Sequence, residues 1–230
     1  MVTAAELMVH KRRATKFYNK KSVQELNKIY PKVSGIVSDY MQNLPLPLMP
    51  VQEMFHLRKL CYYVFNIQDF KTVMSIFYNY PEGECKKGPK EVCTFILDFI
   101  EKSVSKKVEI LHVFCDAYGG TCTPPTGSII KVPFTIRKYI HTVFKQAERG
   151  YVQYGKYIDS FCVNTFKLSK VDDVPLPSIR AYIERVPIKM NKIENTLKIL
   201  QYIPEDFLPF FEEKLTWLTA EGDGDGDEEY

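Results

Sequence analysis

Apolar and polar positions alternate between two kinds of pattern along this chain. Residues 32–38, Lys-Val-Ser-Gly-Ile-Val-Ser, form a β-prone run that ends at Asp39. The stretch Leu44-Pro45-Leu46-Pro47-Leu48-Met49-Pro50 follows it. Proline cannot donate to a ladder, so an extended connector is expected there rather than a central strand. Residues 60–67 and 72–80 are rich in aromatic and β-branched side chains and are joined by Gln68-Asp69-Phe70-Lys71, which predicts an antiparallel hairpin.

The clearest helical period comes next. Val92, Phe95, Ile96, Phe99 and Ile100 fall at i, i+3, i+4, i+7 and i+8, and Gly88-Pro89 sets the start, so an amphipathic helix is predicted to about Ser103. Residues 108–115 read as a buried strand leading to Asp116, broken at once by Gly119-Gly120 and Thr123-Pro124-Pro125. A helix is expected from about Phe134 to Glu148, with Ile136, Ile140, Val143, Phe144 and Ala147 on one side. Residues 150–186, with Tyr151, Tyr154 and Tyr157, do not resolve into either period. Helices are expected again over 191–202, stopped by Pro204, and over 207–218, ending at Trp217. Residues 1–30 read as a helix carrying Lys11, Arg12, Arg13, Lys16, Lys20 and Lys21 within eleven positions.

Composition narrows the class. With 45% hydrophobic and 26% charged residues over 230 positions, the chain is an ordinary globular protein of one or two domains. No run reaches the roughly 18 apolar residues that crossing a bilayer requires, and the N-terminus lacks a signal-peptide hydrophobic segment, which predicts an intracellular protein, nuclear or cytoplasmic, with no membrane partner. The six cysteines form no C-x-x-C pair, so buried free thiols are expected rather than zinc or a disulfide framework. The net charge of +3 hides a polarity: residues 221–230 hold six acidic groups and no basic one, leaving 31 basic against 22 acidic residues elsewhere. That surplus suits a polyanion, and the basic cluster of residues 11–21 is a candidate contact for a phosphate backbone. The acidic tail cannot bury apolar surface and is expected to stay disordered.

Asp39 and Asp116 are the chemically suggestive pair, each at the end of an apolar strand with a hairpin and a helix between them. Were those strands neighbours, both carboxylates would emerge at one sheet edge, and hard oxygen ligands so placed suit Mg²⁺ or Mn²⁺. Aspartates that simply begin turns are the alternative. The four histidines, at 10, 56, 112 and 141, are far apart in sequence and read as structural. Neither a nucleophile elbow nor a phosphate-binding glycine loop is present, and no small-molecule substrate is evident.

Several segments taken together resemble a transposase-derived family of animal proteins. They are Ser38-Asp39-Tyr40-Met41-Gln42-Asn43-Leu44-Pro45-Leu46-Pro47; Pro50-Val51-Gln52-Glu53-Met54-Phe55 to Cys61-Tyr62-Tyr63; residues 82–93; and Val113-Phe114-Cys115-Asp116-Ala117-Tyr118-Gly119-Gly120. Val186-Pro187-Ile188-Lys189 and residues 199–204 are similar to its closing segment. The resemblance implies an α/β fold with a ribonuclease-H-like mixed sheet of strand, hairpin, helix and strand, flanked by helices and with a helical C-terminal part. It divides the chain into a basic helical segment (1–30), the core (31–150), a helical and irregular part of the same domain (151–219) and the acidic tail (220–230). It further implies a DDE-type site in which Asp39 and Asp116 are catalytic metal ligands, with DNA as partner and Mg²⁺ or Mn²⁺ as cofactor. The chain departs from the family where Gln-Asn-Lys-Asn and a later Gly-His-Ser followed by Asp are expected. Thr121-Cys122-Thr123-Pro124-Pro125 occupies the first place, and no Gly-His pair follows Asp116. The third acidic ligand has no counterpart, Glu148 and Asp159 being substitutes by position only, so impaired activity is expected. A non-catalytic scaffold that binds nucleic acid or protein is the other expectation.

Overall fold

The computed structural model describes residues 30–48, 57–115, 141–148, 150–155, 164–167, 185–216 and 219–220. Their architecture is mixed α/β: a mostly antiparallel mixed sheet and a few helices. They fall into two compact units, each discontinuous in sequence. The basic cluster of residues 11–21, Asp116, Asp159 and the acidic tail lie outside the described residues.

The first unit takes residues 30–39, 66–76 and the described part of 88–178. Strand β1, Val33–Tyr40, is largely buried, with Ser34, Gly35, Ser38 and Tyr40 enclosed and Ile36 wholly so, while Asp39 is exposed. On one side it runs parallel to β5, Ile110–Cys115, in a register from Val33↔Ile110 to Ser38↔Cys115. The pairing is extended at its start by the Glu109 N–H, which donates to the Lys32 carbonyl at 2.7 Å, and by a 2.6 Å ion pair between the same two side chains. On the other side β1 meets the end of β3, Leu60–Asp69, whose next residue, Phe70, donates its N–H to the Gly35 carbonyl at 2.9 Å. Beyond β5 the sheet continues as an antiparallel meander of β6 (His141–Lys145), β7 (Tyr151–Gly155) and β8 (Asn164–Lys167).

The helix predicted over 134–148 is therefore corrected where it is described, since residues 141–145 are strand and only Gln146–Glu148 turn as a short 3-10 helix. Thr142, Val143 and Phe144 are β-branched or aromatic, and in this setting period two wins: Val143 is buried while Phe144 is exposed. Val143 and Phe144 fit a helical stripe equally well as a spacing, which is why the period alone misleads.

The predicted helix after Gly88-Pro89 is present as α1, Pro89–Ser103, with Phe99 1% exposed on its apolar side. The hairpin is present as well: β3 pairs with β4, Ser75–Pro81. Its turn is built on Asp69. One carboxylate oxygen accepts from the Lys71 N–H at 2.9 Å, and the other from the Thr72 hydroxyl at 2.9 Å. The Ser34 hydroxyl approaches the same carboxylate at 3.5 Å. An aspartate that caps its own following backbone is the usual way a short turn is set.

The second unit takes residues 40–65, 77–87 and the described part of 179–230. Strand β2, Leu44–Leu46, pairs antiparallel with the start of β3 and has no further neighbour among the described residues, which is the edge position a proline-containing strand can occupy. Strand β9, Ile188–Lys189, pairs with β10, Thr219–Ala220. Helix α2, Met190–Ile199, continues into a 3-10 turn, Leu200–Tyr202, and helix α3 spans Leu208–Leu215, both where the apolar spacing predicts helix. Ile188 of β9, Ile193 of α2, Ile203 after the 3-10 turn and Phe211 of α3 are buried with Leu60 in one apolar cluster.

Candidate functional site

The C-terminal edge of the β1–β5 pair is where the sequence places its chemistry. The two strands are neighbours and parallel, and Ser38 stands opposite Cys115. These are the residues immediately before Asp39 and Asp116. Asp39 itself is exposed near the end of β1. The other half of the predicted pair, Asp116, is the first residue past the described end of β5.

Two enclosed oxygens adjoin this edge. The bonds from the Phe70 N–H to the Gly35 carbonyl and from the Met41 N–H to the Val64 carbonyl, at 2.9 and 2.8 Å, set an antiparallel β1–β3 register in which Asp39 lies opposite Asn66. Directly opposed residues share a face of a sheet. Asn66 Oδ1 is buried with no hydrogen-bond partner among the described residues, and so is the hydroxyl of Ser38. An orphaned amide oxygen beside an exposed carboxylate is the kind of hard donor set a magnesium-like ion takes. Among the described residues, no group of three His, Cys, Asp or Glu is gathered for a metal.

Glu148, a positional substitute for the third acid, is engaged elsewhere. It sits after β6, where Lys145 Nζ donates to its Oε1 at 3.2 Å and Gln153 Nε2 donates to its Oε2 at 3.2 Å. His112 and His141, far apart in sequence, are brought together across β5 and β6 with Nδ1 and Nε2 2.9 Å apart. Phe114 stacks on His141 at a centroid distance of 4.4 Å. Burial holds both imidazoles below the usual histidine range, His141 at about 4 with His112 adding repulsion.

In the second unit the sequence reading misses a buried ion pair. Lys192, facing inward from α2, places Nζ 2.9 Å from both carboxylate oxygens of Glu82. Glu82 Oε2 also accepts from the Cys61 N–H at 2.9 Å, and burial pushes the Cys61 thiol up. Lys214 is buried in the same unit. Its Nζ lies 3.6 Å from Glu84 and over the Phe210 ring at 5.2 Å, and desolvation holds its ammonium below the usual lysine range. Lysines at helical spacing among apolar residues were the available signal, but their partners are too distant in sequence to be guessed. Of the cysteines expected to be buried, Cys61, Cys85 and Cys115 are only half-buried and Cys93 is exposed.

No helix among the described residues is long and apolar enough to cross a membrane. Compared with known proteins, the chain matches no protein-family model, no curated protein and no solved structure.

Proposed function

We propose that the chain is a transposase-derived, ribonuclease-H-like domain of DDE type that binds DNA, with Asp39 and Asp116 as its catalytic metal ligands and with reduced phosphoryl-transfer activity. The observation that carries this reading is the parallel β1–β5 register with Ser38 opposite Cys115, reached through a hairpin and α1. That is the order of strand, hairpin, helix and strand on which such a core is built. The antiparallel β6–β8 meander lies beyond that order. Asp39 and Asp116 would hold Mg²⁺ or Mn²⁺, with the amide oxygen of Asn66 on the adjoining strand. When bound, such ions activate the attacking oxygen and stabilise the leaving one in phosphoryl transfer. Lys11, Arg12, Arg13, Lys16, Lys20 and Lys21 would neutralise backbone phosphates, a role that needs charge and reach rather than fixed geometry.

One observation favours a second reading, a scaffold that binds nucleic acid or protein without catalysis: the carboxylate of Glu148 is occupied by Lys145 and Gln153. Calorimetric titration of Mg²⁺ and Mn²⁺ into the wild type and the Asp39→Asn, Asp116→Asn double variant, beside a nicking assay on labelled DNA, separates the two. Metal binding lost in the double variant is the result expected of the DDE-type site, and nicking adds activity to it. Absence of binding by the wild type up to millimolar metal overturns that site and leaves the scaffold.

A further inference from the structure

Strand β4, Ser75–Pro81, has β3 on one side and no strand on the other among the described residues. The bonds from the Asp69 N–H to the Met74 carbonyl and from the Glu82 N–H to the Cys61 carbonyl set its register on β3. In that register the backbone groups of Ile76, Tyr78 and Tyr80 turn toward β3, and those of Ser75, Phe77 and Asn79 turn outward. The same three outward residues are exposed, Phe77 by 54%. An open edge is ordinarily blunted by charge, a bulge or an early proline. Ser75-Ile76-Phe77-Tyr78-Asn79-Tyr80 carries no charged residue, and its aromatic content favours extended pairing.

From this edge we infer that the chain forms a two-fold dimer in which β4 pairs antiparallel with β4 of a second copy, Phe77 opposite the partner's Phe77. The limits of the edge select a second copy over an unrelated strand. Val73, at φ of 60°, leaves the extended conformation at one end. Pro81 closes the other, and the donor it lacks is on the outward side. Each stands four residues from Phe77. The stretch able to pair is therefore symmetric about Phe77, as a self-complementary contact requires. In this register Ser75 meets the partner's Asn79, and each outward pair exchanges both of its N–H and C=O bonds. The two Phe77 rings share one face of the joined sheet, where an aromatic cross-strand pair adds to the backbone bonds, and no like charges are brought together. A contact confined to one strand edge buries little area, so the dimer belongs to the weak, reversible class.

Sedimentation equilibrium from about 1 to about 500 μM, a span that covers weak reversible dimers, should show the mass rising from one chain to two. Amide exchange followed by nuclear magnetic resonance over the same range should slow at Ser75, Phe77 and Asn79, and do so more than at Ile76 and Tyr78, whose amides face β3. Phe77→Lys sets two ammonium groups opposite each other and should weaken the dimer by roughly tenfold or more. The Ser75→Lys, Asn79→Glu double variant brings opposite charges together across the axis and should dimerise at least as tightly as the wild type. The exchange experiment uses only the wild type and so stands even if a variant fails to fold. A single-chain mass at every concentration overturns the dimer and leaves the edge to a strand of another protein. A dimer whose exchange is unchanged at Ser75, Phe77 and Asn79, or one that Phe77→Lys leaves intact, overturns the β4 pairing.

Discussion

Lys192 and Glu82, 110 residues apart, meet in the second unit through two 2.9 Å contacts, with their side chains only 10% and 16% exposed. The ammonium reaches back from a helix that otherwise contributes Ile193 and Ile199 to the interior. Desolvating two charges costs about what their attraction returns, so such a pair adds little over an apolar replacement but is expensive to break.

Lys192→Met should therefore destabilise the protein by about 3 kcal/mol, because it strands the carboxylate. Glu82→Gln should cost less than Glu82→Leu, since glutamine still offers an acceptor to the Cys61 N–H. Combining Lys192→Met with Glu82→Gln should recover part of the loss. Urea unfolding of the three single variants and this double variant checks the pattern, and additive losses would count against a coupled pair.

Val73 in the β3–β4 turn has φ of 60°, left-handed backbone that a β-branched residue rarely adopts. Its N–H donates to the Asp69 carbonyl at 2.9 Å, and its side chain is 58% exposed, so the turn holds it there with little packing in return. Val73→Gly should stabilise by about 1 kcal/mol. Thermal unfolding should show the rise, and a lower midpoint would mean that the valine side chain matters more than its backbone.

Histidine protonation sets a third expectation. His141 falls to about 4 and His112 shifts in the same direction, whereas unfolded histidine titrates near 6.5. Between those values the unfolded chain binds more protons than the folded one. Stability contributed by the neutral rings is therefore present above about 6.5 and is lost as the pH falls toward about 4. In His141→Gln, which cannot protonate, the slope of stability against pH in this window should be shallower. Equal slopes in the two proteins, measured by denaturant unfolding at several pH values, would contradict the shift.

The strands β1 and β5, the hairpin and α1 were legible because each is decided locally, by an apolar run, a short polar link or a 3.6-residue stripe. Position 39 could be read as a strand end for the same reason. What stayed hidden depends on register or on tertiary neighbours. Strand β6 was misread because Val143 and Phe144 satisfy a helical stripe, and only the exposure of Phe144 beside a buried Val143 shows the shorter period. The His112–His141 contact requires knowing that β6 turns back antiparallel on β5, and the Lys192–Glu82 pair spans too much chain for any local rule. Two β7 and β8 strands fell in the stretch where neither period dominated.

The β1–β5 pairing has a consequence for how this chain reaches its fold. Lys32 and Glu109, which start that ladder, are 77 residues apart, whereas the β3–β4 turn closes over a handful of residues around Asp69 and α1 needs no distant partner. Ring closure over such a span must be met before its contacts give anything back. The hairpin and helix are thus the fast events, and β5 arrives last beside β1 as the step that limits folding. Changes along the β1–β5 ladder would then act mainly on how quickly the chain folds.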